Sequence, residues 1–210
     1  MKTTRRLQAS GMLLFVPLFA LPAPAADPAR HEIGLTLGRL VSQDRSEGAT
    51  KFNLGSGTAL QANYGYRLVG GGIAAIYGEV HMLANPQRQV MSSNTGLTRD
   101  VASLFVTPGI RVKFAAKKAV SPFLAVGGGW SVFEHSMTTL AGAPNPAPRA
   151  VNGGVFDYGG GVDVKLWRFV SLRGEIRDFD SNNPTYNLAT LSGRQHNIVV
   201  GGGFVLKFGE

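Results

Sequence analysis

Residues 101–114, VASLFVTPGIRVKF, decide the fold. Ala102, Leu104, Val106, Pro108, Ile110 and Val112 share one face of an extended chain, and Ser103, Thr107, Arg111 and Lys113 share the other. Successive side chains of a strand point to opposite sides, so the alternation marks a strand with one greasy and one polar surface. Toward the C-terminus the same period returns three times. Phe156, Tyr158, Val162, Val164 and Leu166 oppose Asp157, Asp163 and Lys165; Val170, Leu172 and Ile176 oppose Ser171, Arg173, Glu175 and Arg177; Ile198, Val200, Phe204, Leu206 and Phe208 oppose Asn197 and Lys207. Toward the N-terminus, Ile76, Val80 and Met82 oppose Tyr77, Glu79 and His81. Past residue 25 no stretch sustains the spacing of an amphipathic helix, so the chain reads as all-β.

Strands are expected at 31–40, 58–68, 72–83, 101–114, 122–133, 154–166, 169–179 and 195–208. Most are longer than the five or six residues usual in soluble sheets and match the roughly 9–11 that cross a bilayer at a tilt. Their connections alternate. Residues 69–71, 115–121 and 167–168 are short; 41–57, 84–100, 134–153 and 180–194 are long and polar. Short turns at one end and long loops at the other are the pattern of an up-and-down transmembrane barrel, and place both termini on the periplasmic side.

Ahead of the strands, Lys2, Arg5 and Arg6 precede the apolar run 12–21 and the small-x-small pattern Ala23-Pro24-Ala25. That is the layout of a cleaved secretory signal peptide, expected over residues 1–25, with the barrel domain over 26–210. The run is too short for a membrane-spanning helix, and Pro17 and Pro22 interrupt it. Loss of those three cations would lower the formal charge of +8 to about +5. The remaining charges alternate with apolar residues and form no basic face, which argues against a nucleic-acid partner. With no cysteine the chain has neither disulfides nor thiolate metal sites.

Alternation alone does not say which face meets lipid. A lining of Phe, Trp, Tyr, Ile and Leu would overfill the narrow interior of eight strands, which points the apolar face outward. Glycines also recur on the polar face, at Gly127, Gly129, Gly159, Gly161, Gly201 and Gly203, where they leave room for long charged chains and ease closure. Hydrocarbon satisfies no free backbone group, so the sheet must close. Tyr64, Tyr66, Trp130, Trp167, Phe169, Phe204 and Phe208 fit interfacial aromatic girdles.

Ten inward charges are the candidate lumen ion-pair set: Glu79, Arg111, Lys113, Asp157, Asp163, Lys165, Arg173, Glu175, Arg177 and Lys207. Each needs a partner, because an isolated buried charge costs several kcal/mol. A gated ion path and a carboxylate acid–base pair are the competing readings of the same residues. Glu134-His135-Ser136 invites a lipid-hydrolase reading, but neighbours on a strand face opposite ways. His31, His81, His135 and His196 lack metal-ligand spacing, and the Gly-Gly-Gly runs do not open helices, so no metal or cofactor is expected. The segments 145–148 and 182–184 are expected to be mobile surface loops carrying any recognition, of an unidentified ligand.

The segments PFLAVGGGW (122–130), FDYGGGVDV (156–164) and SLRGEIRDF (171–179) resemble small bacterial outer-membrane barrels related to the OmpA transmembrane domain, especially the outer membrane protein beta-barrel domain group. The resemblance spans the chain after residue 25. It implies residence in the outer membrane, contact with its lipid, and insertion by the outer-membrane assembly machinery, which reads a terminal aromatic. Here Phe208 stands before Gly209-Glu210. A non-enzymatic monomer, structural or recognising a ligand through its loops, is the expectation; a lipid-modifying enzyme and a small passive pore are the alternatives.

Overall fold

A computed structural model describes residues 29–47, 50–71, 73–182, 184–188 and 193–209; the expected signal peptide lies outside them. The strands are β1 (His31–Ser42), β2 (Arg45–Glu47), β3 (Thr50–Leu54), β4 (Gly57–Gly70), β5 (Ala74–Ser92), β6 (Asp100–Phe114), β7 (Val120–His135), β8 (Ala150–Lys165), β9 (Val170–Asn182) and β10 (Arg194–Phe208). Eight of them form a closed antiparallel barrel. The long strands run in the order β5-β4-β1-β10-β9-β8-β7-β6, and β5 pairs β6 to shut the ring. Every long strand is therefore hydrogen-bonded on both sides, which is what backbone in hydrocarbon requires. The start of β1, the end of β10 and the short turns share one end, the turn end; the long connections share the other, the loop end.

Two connections differ from expectation. The link 41–57 contains the hairpin β2–β3, and β3 extends the wall by pairing Phe52 with Ser92 and Leu54 with Val90. β5 continues to Ser92, past the expected end at residue 83. Pro86 cannot donate to the ladder, and the strand carries it by shifting register between Asn85 and Arg88.

The wall is two-faced throughout. Leu35, Leu104, Ile110, Leu124, Leu172 and Ile176 are exposed on the outside, whereas Arg111 and Arg173 are 0% and 1% exposed within. The seven aromatics assigned to girdles are all exposed.

Inward glycines serve closure in two distinct ways. A Cβ on Gly129 would sit 2.0 Å from the Val106 carbonyl oxygen, and one on Gly203 2.0 Å from that of Leu35. There the neighbouring strands approach too closely for any side chain. A Cβ on Gly65 would instead meet Arg111 Nη2 at 2.6 Å, and one on Gly127 Asp157 Oδ1 at 2.4 Å. Those glycines clear space for the charged interior. Gly129→Ala should accordingly lower stability by about 1–3 kcal/mol through overpacking. Gly174→Ala, whose Cβ meets nothing within 4 Å, should stay within about 0.5 kcal/mol. Urea unfolding in detergent micelles compares the two.

Candidate functional site: the barrel interior

Eight of the ten predicted charges come together. Near the turn end, Lys113 Nζ reaches Glu32 Oε1 at 2.5 Å and Asp163 Oδ2 at 2.6 Å. Arg173 grips Asp163 with two parallel bonds, Nε to Oδ1 at 2.7 Å and Nη2 to Oδ2 at 2.9 Å. Arg111 Nη2 donates to Glu32 Oε2 at 2.7 Å. Its Nε lies 3.1 Å from Glu79 Oε2, off the hydrogen-bonding direction. Nearer the middle, Arg177 bridges Glu79 and Asp157, the latter at 2.8 Å, with Glu175 Oε2 3.5 Å from its Nε. Five carboxylates, Glu32, Glu79, Asp157, Asp163 and Glu175, thus face four cations, Arg111, Lys113, Arg173 and Arg177.

Neutral groups complete the network. Asn63 donates to Glu79 and accepts from Arg173, both at 3.1 Å. Thr36 and Gln61 donate to Glu175 Oε1 at 3.0 and 3.1 Å, and His81 Nε2 lies 3.2 Å from Gln61 Oε1. Aromatic rings lie against the cations: Phe123 has Arg173 at 4.6 Å and Arg111 at 5.6 Å from its centroid, and Tyr77 has Arg111 at 5.1 Å and Lys113 at 5.3 Å. Such contacts suit Arg, whose planar, weakly hydrated head tolerates burial better than an ammonium.

Lys165 and Lys207 line a cavity at the turn end. Glu32, absent from the predicted set, hydrogen-bonds Arg111 and Lys113 and lies 3.9 Å from Arg173 Nη2. Its signal was available, since Glu32, Gly34 and Thr36 face away from Ile33, Leu35 and Leu37.

Above the charges the interior turns apolar. Leu40, Leu83, Phe105, Phe133, Phe179 and Val199 point inward from the strands and pack with Phe52, Leu54, Leu97 and Tyr186 from the connections. The loops drop their own apolar residues into the mouth, where contact with Phe105 and Phe179 removes them from water. Burial pushes the Tyr186 phenol up to about 12, so its hydroxyl stays protonated and donates to Gln195 Oε1 at 2.7 Å.

The expected mobility of residues 145–148 is corrected. Asn145 Nδ2 donates to Thr98 Oγ1 at 3.0 Å and to the Ser136 carbonyl at 2.8 Å. Asn187 Nδ2 reaches Asn145 Oδ1 at 2.7 Å, and Leu140 N donates to the Leu97 carbonyl at 2.8 Å. Three connections are thereby stitched into one cap. Of the segment 182–184, residue 183 lies outside the described residues.

Glu134, His135 and Ser136 do not form a catalytic triad. Ser136 Oγ donates to the Thr138 carbonyl at 2.7 Å, His135 Nδ1 lies 2.8 Å from the Pro148 carbonyl, and Glu134 holds Arg149 at 2.5 Å.

Beneath the cap, Arg88 is 1% exposed and has no carboxylate partner among the described residues: its Nη1 donates to Ser42 Oγ and to Asn197 Oδ1, the latter at 3.1 Å. Its Nε and Nη2 have no protein partner.

A closed barrel, greasy outside and ion-paired inside, is the architecture of a transmembrane β-barrel. The chain belongs to the outer membrane protein beta-barrel domain family, whose sequence profile matches residues 11–204. It is an outer-membrane protein. Its fold is similar to that of neisserial surface protein A (TM-score 0.57, 11% identity, 86% of this chain and 98% of that one). It is also similar to OprG of Pseudomonas aeruginosa (TM-score 0.60, 15% identity, 90% of this chain and 100% of that one). No match was found among curated proteins.

The two buried cation environments predict opposite mutational outcomes. Asp163→Asn strands Arg173 and half of Lys113, and should cost about 3–5 kcal/mol. Adding Arg173→Met should restore at least about 1 kcal/mol of that loss. Arg88→Met should be neutral or stabilising, because it removes a charge that no acid among the described residues balances. Urea midpoints in micelles read all three.

Proposed function

We propose that the protein is a non-enzymatic, monomeric outer-membrane barrel with a plugged interior, its turn end and both termini in the periplasm and its loop end presenting a recognition surface outside the cell. The single observation that carries this reading is the two-tier interior. An ion-paired layer fills the lower and middle barrel, and an apolar plug donated by the loops fills the mouth. Side chains crowd both tiers, and eight strands enclose little more than side chains.

Recognition at the loop end is supported by rigidity. The bonds among residues 94–99, 137–145 and 184–188 preorganise the surface, so a partner meets groups already ordered. The lipid-enzyme alternative is disfavoured because the Ser136 hydroxyl is spent on a carbonyl with no base behind it. Contact with membrane lipid along the outer belt, and insertion by the assembly machinery, follow from the same reading.

Purified protein in planar bilayers should give no conductance steps at moderate voltage. Deleting the plug residues Leu97 and Tyr186 together by substitution to Ala should leave the barrel silent too, because the ion-paired layer beneath remains. Discrete steps from the unmodified protein would establish a pore instead. An epitope at residue 142 should be reachable by antibody on intact cells and one at residue 117 only after lysis; the reverse labelling would invert the orientation.

A further inference from the structure

The guanidiniums of Arg111, Arg173 and Arg177 each meet a carboxylate inside the barrel. Arg88 is as deeply buried and meets none among the described residues. Its Nη1 donates to Ser42 Oγ and to Asn197 Oδ1, while Nε and Nη2 have no protein partner. Those two nitrogens form one edge of the guanidinium, whose parallel N–H bonds suit an anion. Arg173 presents that same edge to Asp163, Nε to Oδ1 at 2.7 Å and Nη2 to Oδ2 at 2.9 Å. One barrel thus holds the same donor pair twice, once closed by an acid and once facing no acid.

The polar groups that hold Arg88 are neutral and already engaged. Asn197 Oδ1 accepts from Ser42 Oγ at 2.8 Å and from Gln195 Nε2 at 2.9 Å as well as from Arg88. Gln195 Oε1 in turn accepts the Tyr186 hydroxyl at 2.7 Å. None of these groups carries a charge to set against the guanidinium. The arm itself is fixed. Arg88 pairs with Val101 in the β5–β6 register, and a Cβ on Gly57 would lie 2.6 Å from Arg88 Cγ, so its stem runs close against that glycine. A guanidinium keeps its proton even when buried, and a buried charge without a counter-charge is costly.

We infer that the Nε–Nη2 edge of Arg88 binds a small monovalent anion of the chloride class beneath the cap. A buried water would satisfy the two donors and leave the charge unbalanced, whereas one negative charge answers both. A divalent anion would exchange a surplus positive charge for a surplus negative one. The loop-end interior is packed with Phe52, Leu54, Leu97 and Tyr186, which restricts the occupant to a few atoms. Because the cap lies over Arg88, the anion enters as the loops fold. The site does not depend on whether the outer surface recognises a ligand.

The full chain is refolded in non-ionic micelles in sodium gluconate, whose anion is too large to be enclosed, and gluconate is exchanged stepwise for chloride at constant ionic strength. The urea midpoint of the unmodified protein should rise with chloride and level off, as for a ligand held only by the folded state. Arg88→Met should match or exceed the unmodified protein in gluconate and show no rise in chloride. Lys51→Gln, which removes an exposed cation of the loop end, should keep the full rise. Crystals of protein refolded in sodium bromide should give an anomalous peak within hydrogen-bonding reach of Arg88 Nε and Nη2. That readout needs no variant, and Arg88→Gln replaces Arg88→Met in the titration should the latter not fold. A water at that edge in place of bromide, a flat midpoint in the unmodified protein, or an equal rise in the Arg88 variant each overturns the inference.

Discussion

A backbone amide in hydrocarbon has only another backbone to bond, and the closure of β5 onto β6 is how this chain meets that constraint. Much else is a consequence of the closed ring. A ring of eight strands has a narrow interior, so inward positions are restricted to glycine wherever strands crowd, as at Gly129 and Gly203. The remaining inward positions hold side chains that must be satisfied without water. Lys, Arg, Asp and Glu do so by pairing across the lumen, linking strands that are not neighbours in the wall: Lys113 of β6 to Glu32 of β1, Arg177 of β9 to Glu79 of β5. Ion pairs buried this way add little net stability compared with apolar packing, but losing one partner is costly, so they favour a single arrangement of the interior.

The interior changes character along its axis, and that division organises the functional reading. Charges occupy the turn-end half and middle, where strands alone supply the lining. At the loop end the connections contribute, and they bring apolar residues that pack on Phe105 and Phe179 in the manner of a small soluble core. The cap is ordered from beneath by this packing and from above by hydrogen bonds between connections. A rigid outer surface on a rigid barrel can present chemical groups without a folding step, which is the physical basis for assigning recognition there.

The strands, their alternation and the apolar outside were legible because a period of two survives in the sequence wherever one face is lipid and the other is charged. What was not legible has specific causes. Arg88 sits at an even position of β5, whereas its inward neighbours Ala75, Tyr77, Glu79, His81, Leu83 and Asn85 are odd. Only the register shift after Asn85 turns it inward, and a bulge at a proline leaves no mark on parity that can be read in advance. Leu97 and Tyr186 lie in connections with no period at all, so their role in the plug depends on tertiary contact. Glu32 was readable, being inward by the same alternation as the others, but a single acid between Ile33 and His31 stands out less than a run of them. Lys165 and Lys207 share the parity of the ladder and line the turn-end cavity, with Lys207 opposite Glu32 in the β1–β10 register.

The central claim is that even-numbered positions of residues 101–114 touch acyl chains while odd-numbered ones fill the lumen. A nitroxide scan along that strand in lipid bilayers, read by accessibility to oxygen and to a water-soluble nickel chelate, tests it directly. Oxygen accessibility should oscillate with a period of two, maximal at 104, 106 and 110, with immobilised labels shielded from both reagents at 105, 107 and 111. An oscillation of opposite phase, or chelate accessibility at the even positions, would contradict it.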